Sequence, residues 1–324
     1  MKPYIIIIAV LVFSGCRQQS NTALPKTTSE KKTNSKVEVA YKTKALLGEG
    51  AIWDAKTSQL YWIDIEGKKL HILDPKNHVD KVIKTPSKIG TVVPTENGDV
   101  LVALEDGVYQ LNLKTEAITL FADMHKSLEG KRLNDGKCDP KGRFWVGSMH
   151  MEQKKEAANL YTINNSGLVD TKIDSVTISN GIVWTSDHKT MYYIDTPTSE
   201  IKAYDYDMKT GHISNQRVVV KISVALGYPD GMTIDEEDML WVGMWNGNAV
   251  IRFNPKTGEI LQKIEVPAHN ITSCAFGGDD LETLYITSAS IDMTEEEKKA
   301  YPLAGSVFKV KPEVKGVKSY LFKY

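Results

Sequence analysis

The chain repeats one template of short strands and turns six times, and this repeat limits its fold more than any other feature. Each unit contains a β-rich segment that opens on an apolar residue, as in LWVGM at 240–244. The opening residues lie 40, 44, 47, 49 and 44 residues apart and are Leu60, Val100, Phe144, Met191, Leu240 and Leu284. Periods of roughly 40–50 residues with several strands per unit are typical of propeller blades. The sequence therefore predicts an all-β fold, a six-bladed β-propeller.

Other patterns agree with this prediction. Turn pairs such as Glu66-Gly67 and Asn246-Gly247 follow the repeated strand, as expected for hairpins. A helical period is present only weakly, over Met293 to Ala300. The alternative fold is a pair of β-sandwiches, but six nearly equal periods argue against two unlike sandwiches.

Charge and composition exclude some classes of function. With a formal net charge of −1, the chain lacks the basic surplus of a nucleic-acid-binding protein, so we expect no nucleic-acid partner. Charged residues make up 25% and hydrophobic residues 41% of the chain, which is ordinary for a globular protein with a large core. We expect a monomer.

The first 36 residues differ from the rest. A short apolar run at 4–13 is too short to span a bilayer and is followed by Ser-Gly and Cys16. This pattern resembles the signal of bacterial lipoproteins, whose cysteine is acylated. We predict a lipoprotein signal peptide at 1–15, lipidation of Cys16 and a flexible polar tether at 16–36. An ordinary signal peptide or a buried strand is the alternative.

These predictions place the protein in the bacterial cell envelope, anchored to the membrane by lipid on the periplasmic side or at the outer membrane. Arg17 stands where an acidic residue retains many lipoproteins at the inner membrane, which favours the outer membrane. The propeller is expected to occupy residues 37–324. Cys138 and Cys274 lie in apolar strands, so we predict buried free thiols, with a disulfide between them as the alternative.

Four oxygen-bearing side chains share one phase of the repeat, on the strand expected to line the central channel. Each precedes a glycine and stands 9 to 11 residues before the opening residue of its unit; they are Glu49, Asp135, Asn180 and Asp230. A single such pair would indicate only a turn. Rotational repetition forms a ring in which the carboxylates repel one another unless a cation lies between them. The ring therefore predicts an axial metal site that suits Ca²⁺, Mg²⁺ or Mn²⁺ better than Zn²⁺.

Five stretches of the chain resemble the regucalcin, gluconolactonase and luciferin-regenerating enzyme family. They are GEGAIWD (48–54), RLNDGKCDPKGRFWVGSM (132–149), SNGIVWTSD (179–187), YPDGMTID (228–235) and ITSCAFGG (271–278). Members of that family are six-bladed propellers that bind one divalent cation in the axial channel and hydrolyse lactones, often of aldonic acids. The resemblance implies a gluconolactonase-like carboxylic-ester hydrolase whose substrate is a small-molecule lactone.

The resemblance also implies roles for individual residues. The metal ligands would be Glu49, Asn180 and Asp230. Arg132 and Asn134 would contact the substrate, and Glu152 matches a substrate-binding acid of some members, although the loop at 150–158 follows the family poorly.

The implied chemistry has a physical basis. A divalent cation, with Ca²⁺ favoured and Zn²⁺, Mn²⁺ or Mg²⁺ as alternatives, polarises the ring carbonyl and lowers the pKa of a bound water molecule. We expect Asp230 to serve as ligand and general base, and Asp135 to act as a second catalytic residue that positions the reacting groups. Arg132 would stabilise the developing negative charge.

The alternative function is a non-catalytic envelope propeller that binds a ligand or a protein and has kept a structural cation, because the fold alone does not decide function. Hydrolysis of organophosphates or larger lactones by the same metal is a third hypothesis. The sequence contains no HExxH, GxSxG, P-loop or dinucleotide motif.

Three features near the inferred channel mouth stay open at this point. His150 is either a lid residue or an ordinary surface histidine. The segment at 292–300 is expected to form a short helix, either as a lid or as a solvated insertion. Trp245 belongs either to the core, like the other five tryptophans, or to the wall of the substrate site.

Overall fold

Six four-stranded antiparallel sheets form the part of the protein that the structure describes. The structure is a computed structural model, and it describes residues 36–324. Each sheet is one blade, and the innermost strands of the blades contact one another in turn around a central axis. The predicted six-bladed β-propeller is confirmed.

The strands follow the chain from blade to blade. The first strand, β1 (Glu38–Tyr41), belongs to the last blade. Blade 1 contains β2 (Gly48–Asp54), β3 (Gln59–Asp64), β4 (Lys69–Asp74) and β5 (Val79–Lys84). Blade 2 contains β6 (Thr91–Pro94), β7 (Val100–Ala103), β8 (Gly107–Leu111) and β9 (Ile118–Asp123). Blade 3 contains β10 (Lys131–Cys138), β11 (Phe144–His150), β12 (Ala158–Ile163) and β13 (Val169–Val176).

The second half of the ring continues in the same way. Blade 4 contains β14 (Ser179–Trp184), β15 (Thr190–Asp195), β16 (Glu200–Asp207) and β17 (His212–Lys221). Blade 5 contains β18 (Tyr228–Ile234), β19 (Leu240–Trp245), β20 (Ala249–Phe253) and β21 (Ile260–Glu265). Blade 6 contains β22 (Asn270–Gly277), β23 (Thr283–Ala289), β24 (Val307–Val310) and β1. Among residues 36–324, the helical segments are α1 (Glu295–Ala300) and three 3₁₀ turns at His125–Leu128, Thr196–Thr198 and Val224–Leu226.

The ring closes by pairing the first strand with the last. β1 runs antiparallel to β24, with Glu38 opposite Lys309 and Val39 opposite Phe308. Without β1, the outer edge of β24 would present unpaired backbone groups. This pairing links positions near the two ends of the described chain, so the repeat pattern did not reveal it.

The predicted repeat corresponds to the second strand of every blade. The six opening residues lie in β3, β7, β11, β15, β19 and β23, and all six side chains are fully buried. A strand that is covered on both faces reads as a continuous apolar run, which explains why these segments stand out in the sequence. Five of the six tryptophans are buried in the core as predicted, and only Trp245 is partly exposed.

Five of the six innermost strands carry a β-bulge at the same place. In blade 5, Pro229 pairs with Met244 and Met232 pairs with Val242, so two residues of β18 face a single residue of β19. A bulge bends the strand and re-aims a side chain. The glycine at 231 has a packing reason as well, because a Cβ atom there would lie 2.8 Å from Cβ of Ser273 in the next blade.

The C-terminal tail crosses the end of the channel opposite the bulges. Gly316 forms a bridge with Asp235 of blade 5, and Phe322 forms one with Thr95 after β6. Phe322 is fully buried in the core, with its ring edge against Phe121. The tail therefore ties blades that are distant in the chain.

One prediction about the chain outside the site can be compared with the structure. Cys138 and Cys274 are buried free thiols, as predicted, and burial raises the pKa of the Cys274 thiol to about 12. Cys16 and the predicted signal peptide lie outside the described residues. Within 36–324, no helix is long and apolar enough to cross a membrane.

Candidate active site

A cavity of about 530 Å³ opens at the end of the channel where the bulged strands begin. Five of the predicted site residues line it, each contributed by an innermost strand and each at least nine-tenths buried; they are Glu49, Arg132, Asn134, Asn180 and Asp230. The structure thus brings together residues of blades 1, 3, 4 and 5 at one point of the axis.

The register of the bulges shows which of the predicted site residues occupy equivalent positions in their blades. Asn134, Asn180 and Asp230 occupy the same bulge position in their blades. Glu49 lies one residue before that position, and Asp135 lies one residue after it. A bulge interrupts the regular alternation of side chains, and here Glu49 lines the cavity whereas Asp135 does not. Glycine-flanked acids in similar sequence contexts are therefore not structurally equivalent.

Asp135, a predicted catalytic residue, lies outside the cavity wall in the structure. It is buried but does not line the cavity. Its Oδ1 accepts a hydrogen bond from the N–H of Gly136 at 2.7 Å, and its Oδ2 has no hydrogen-bond partner. Burial raises the pKa of this carboxyl. Asp135 can influence the cavity by its charge, but it is not positioned on the wall that a substrate would touch.

A chain of hydrogen bonds runs across the cavity floor from blade 3 to blade 5. Arg132 Nη1 donates to Asn134 Oδ1 at 2.6 Å, and Asn134 Nδ2 donates to Asn180 Oδ1 at 3.1 Å. Asn180 Nδ2 donates to Thr196 Oγ1 at 2.7 Å, and this hydroxyl donates to the carbonyl of Pro229 at 2.8 Å. The chain fixes the orientation of both amides. Thr196 was missed from the sequence because it lies in a 3₁₀ turn outside the repeated phase.

Glu49 and Asp230 form a close pair of buried acids. Burial, followed by the negative charge of Asp135, raises the pKa of Glu49 to about 8. Burial and then the charge of Glu49 raise the pKa of Asp230 well above its usual value. The guanidinium of Arg132 opposes both shifts without cancelling them. Two acids this close cannot both ionise readily unless a positive charge lies between them.

The donor set at this pair fits a hard divalent cation. Within residues 36–324, no three or more His, Cys, Asp and Glu side chains gather to hold a metal ion. A cation here would be held by the carboxylates of Glu49 and Asp230 together with neutral oxygen atoms, and Asn180, whose Oδ1 is such an atom, lines the same cavity. Sets that contain only oxygen suit Ca²⁺, Mg²⁺ or Mn²⁺ and suit Zn²⁺ less well. These residues fit the predicted cation.

Glu152 does not take the position that the resemblance implied. Its side chain is exposed and pairs with Lys154 at 2.9 Å, and it does not line the cavity. Its backbone N–H donates to His150 Nδ1 at 3.0 Å within a tight turn. The neighbouring residues Met151 and Gln153 line the cavity instead. Gln153 is thus the polar side chain that this loop contributes, and His150 is not part of the wall.

Several wall residues were not singled out from the sequence. Glu66 and Lys88 form an ion pair of 2.8 Å on the connections that lead into and out of the outer strands of blade 1. Glu66 lies in a hairpin connection outside the repeated phase, so its sequence carries no signal of this role. Trp245 lines the cavity, which supports the second of its two interpretations. Asp292, at the start of the 292–300 segment, also lines it, and the predicted short helix is α1.

Comparison with known proteins decides the family. The family model described as "SMP-30/Gluconolactonase/LRE-like region" matches residues 47–290, which contain every stretch that carried the resemblance. The chain belongs to this family. The family assignment made from the sequence is therefore confirmed.

Individual members of the family are similar over nearly their full length. The protein of Bacillus subtilis (strain 168) named "Putative sugar lactone lactonase YvrE" is 41% identical over 277 residues, which cover 85% of this chain and 94% of that protein. The solved structure of a luciferin-regenerating enzyme superposes with a TM-score of 0.84 at 31% identity, covering 90% of this chain and 100% of the other. Regucalcin from Agrobacterium tumefaciens str. C58, a calcium-binding protein, superposes with a TM-score of 0.84 at 28% identity, covering 88% and 97%.

Proposed function

We propose that the protein is a hydrolase that opens the ring of a lactone of the sugar (aldonic acid) class and requires a divalent cation. The observation that carries the proposal is the buried acid pair Glu49 and Asp230 beside the buried Arg132 on the floor of one cavity. The name of the Bacillus subtilis relative supports the reaction. The calcium-binding regucalcin supports a cation at this site, with Ca²⁺ favoured.

The side chains of the floor divide the chemistry among them. When held by Glu49, Asn180 and Asp230, a divalent cation supplies Lewis-acid polarisation of a carbonyl group. Asp230 accepts the proton of the attacking water, because it is a carboxylate that lines the cavity and because burial and then the charge of Glu49 raise its pKa well above the usual value. Arg132 stabilises the oxygen on which negative charge develops.

Asn134 and Asp135 act on this arrangement in different ways. Asn134 lines the cavity and is held between Arg132 and Asn180, so it presents a fixed amide to the substrate. Asp135 lies behind the wall, and its charge raises the pKa of both Glu49 and Asp230. We assign to it an electrostatic role and no contact with the substrate.

The decisive experiment measures lactone hydrolysis by residues 37–324. The protein is stripped with a chelator and then reloaded with Ca²⁺, Mn²⁺, Mg²⁺ or Zn²⁺. Acid release from D-glucono-1,5-lactone and δ-valerolactone is followed against a protein-free control, because lactones also hydrolyse spontaneously. Turnover that disappears with the chelator and returns with a cation supports the proposal. Tight cation binding without turnover of any lactone would instead favour the non-catalytic binding propeller.

We also propose that the protein works in the cell envelope, attached by lipid on Cys16. The support is the sequence pattern at 1–16 alone. Growth of expressing bacteria with an alkyne-labelled fatty acid tests it. The wild-type chain should incorporate the label and fractionate with membranes, and Cys16→Ser should do neither. Equal labelling of both chains would exclude this site of attachment.

A further inference from the structure

An ion pair on the cavity wall takes no part in the chemistry proposed for the floor. Lys88 Nζ lies 2.8 Å from Glu66 Oε1, and both residues line the cavity. Their side chains are 29% and 26% exposed, whereas those of the surface pair Lys81 and Glu116 are 43% and 49% exposed. An ion pair at the protein surface contributes little to stability. A partly buried pair on the wall of a cavity is instead placed to meet a ligand.

Each member of the pair keeps hydrogen-bonding capacity that the protein does not use. Within residues 36–324, the only side-chain hydrogen bond of either group is the one from Lys88 Nζ to Glu66 Oε1. The second carboxylate oxygen of Glu66 therefore remains an acceptor, and the ammonium group of Lys88 keeps two further N–H donors. Polar atoms on a cavity wall are satisfied by water or by a ligand. The pair thus offers an acceptor and donors side by side.

The backbone holds both groups in place before a ligand binds. Glu66 lies in the hairpin between β3 and β4, where Asp64 Oδ1 accepts a hydrogen bond from the N–H of Gly67 at 3.0 Å. Lys88 lies on the connection between β5 and β6 and follows a turn in which the hydroxyl of Thr85 donates to the carbonyl two residues later at 2.8 Å. Because these turns are already ordered, binding costs less conformational entropy.

The pair lies beside the cavity floor. Burial lowers the pKa of Arg132, and the charge of Glu66 is the largest effect that opposes this lowering, ahead of the charge of Glu49. Glu66 is therefore close to the guanidinium group. The innermost strand of blade 2 has no bulge, and in the described part of the chain no residue from 89 to 131 lines the cavity. Lys88 is thus the group that a ligand meets on the blade 2 side.

The hydroxyl groups of a sugar ring match this pair. A hydroxyl group both donates and accepts, so one ring hydroxyl donates to Glu66 while its neighbour accepts from Lys88. Adjacent ring hydroxyls are roughly as far apart as the two partners of a hydrogen bond, which fits the short distance within the pair. Hydrogen bonds to charged groups are stronger than those between neutral groups. Further polar side chains line other parts of the wall, namely Gln153, Asn246 and Asp292.

From this arrangement we infer that Glu66 and Lys88 together bind two adjacent hydroxyl groups of the lactone ring and select polyhydroxy lactones over lactones without hydroxyl groups. The carbonyl end of the ring lies on the floor, and the hydroxyl-bearing edge lies against the pair. The inference rests on the proposed lactone hydrolysis and assigns specificity-determining residues to that same site.

Two lactams test these contacts without hydrolysis. D-Glucono-1,5-lactam carries the ring hydroxyls of the sugar lactone, and δ-valerolactam carries none. In titration calorimetry of the wild-type protein with Ca²⁺ present, D-glucono-1,5-lactam should bind about tenfold or more tightly, because hydrogen bonds to charged groups contribute at least this much. This comparison needs no variant, so a folding defect cannot obscure it.

Variants of the pair then locate the effect. Lys88→Met and Glu66→Leu remove the polar groups and keep side chains of similar size. Each should weaken the binding of D-glucono-1,5-lactam about tenfold or more and leave that of δ-valerolactam unchanged. Lys81→Met breaks the exposed ion pair of 3.0 Å with Glu116 outside the cavity. This matched control should bind both lactams like the wild type.

Hydrolysis supplies a second measurement. The ratio of kcat/KM for D-glucono-1,5-lactone over δ-valerolactone should fall about tenfold or more in both variants of the pair. Equal affinity of the wild type for the two lactams, a preference that both variants retain, or an equal loss for both lactams overturns the inference. If the lactam preference depends on the pair but no lactone is opened, the proposed function fails and the pair keeps its role in binding hydroxyl groups.

Discussion

Asn134 Nδ2 donates a hydrogen bond to Asn180 Oδ1 at 3.1 Å and thereby joins blade 3 to blade 4 on the floor of the cavity. Asn134 was predicted to contact the substrate and Asn180 to bind the metal. The structure shows that the two amides form one unit, because Asn180 is fixed at its other end by Thr196. The orientation of the expected ligand oxygen therefore depends on a residue that is not itself a ligand.

The first prediction concerns this coupling. Asn134→Ala should weaken Ca²⁺ binding about 10- to 100-fold, because partners that orient a ligand typically contribute that much to metal affinity. Isothermal titration calorimetry of the chelator-treated protein measures the change. Asn77→Ala, in an exposed turn of blade 1, is the control and should bind Ca²⁺ like the wild type. Unchanged affinity in Asn134→Ala would show that Asn180 is oriented without its neighbour.

The second prediction concerns the general base. Asp230→Asn retains the shape of the side chain but removes its ability to accept a proton, so lactone turnover should fall to the background rate while the melting temperature changes little or rises. Asp230 and Glu49 are buried acids whose negative charges repel each other. The variant removes one of these charges, so the melting temperature should not fall. Asp174→Asn, on the exposed outer strand of blade 3, should keep wild-type turnover. Turnover by Asp230→Asn at the wild-type rate would refute the assignment of Asp230 as the general base.

The third prediction concerns pH. The pKa of Glu49 rises from 4.5 to about 8 in the folded protein, so between these values the folded state binds more protons than the unfolded state. The stabilising contribution of the protonated group is complete below about pH 4.5 and is lost as the pH rises towards 8. In a chelator, the melting temperature should therefore decline across this window, whereas Glu49→Gln should decline less. Calorimetric scans at pH 5, 6, 7 and 8 check this.

The same protonation should compete with the cation. Because bound carboxylates must be ionised, Ca²⁺ affinity should increase from pH 5 to pH 8, and added Ca²⁺ should stabilise the protein more at the higher pH. Calorimetric titrations with Ca²⁺ at the same pH values measure this affinity. An affinity that does not depend on pH would mean that Glu49 is already ionised at pH 5.

The fourth prediction concerns the C-terminal tail. Phe322 is fully buried, and its backbone exchanges hydrogen bonds with Pro94 and Glu96 of blade 2. Phe322→Ala should destabilise the protein by about 3–5 kcal/mol, as for other buried phenylalanines. Tyr324→Ala, which removes a 39% exposed ring from the same cluster, should have a clearly smaller effect. Urea denaturation of both variants compares them, and equal losses would show that the tail is held by its backbone alone.

The sequence by itself determined the number of blades and the strands that line the channel. Each blade is encoded within about 45 consecutive residues, and its second strand is buried on both faces, so the signal repeats locally. The Asx-Gly pairs at 135–136, 180–181 and 230–231 lie in three of the five bulged strands, although the sequence did not indicate the bulges themselves. The resemblance of the motifs to the family predicted Glu49, Asn180 and Asp230 as metal ligands.

Only the tertiary structure decided which of these side chains meet. Asn134 faces the cavity and Asp135 lies behind it because the register of the bulge in β10 sets the direction of each side chain. The pairing of β1 with β24 and the ion pair of Glu66 with Lys88 join segments whose own sequences contain no signal of their partners. Such contacts depend on how the closed ring places neighbouring blades, which is a property of the whole chain.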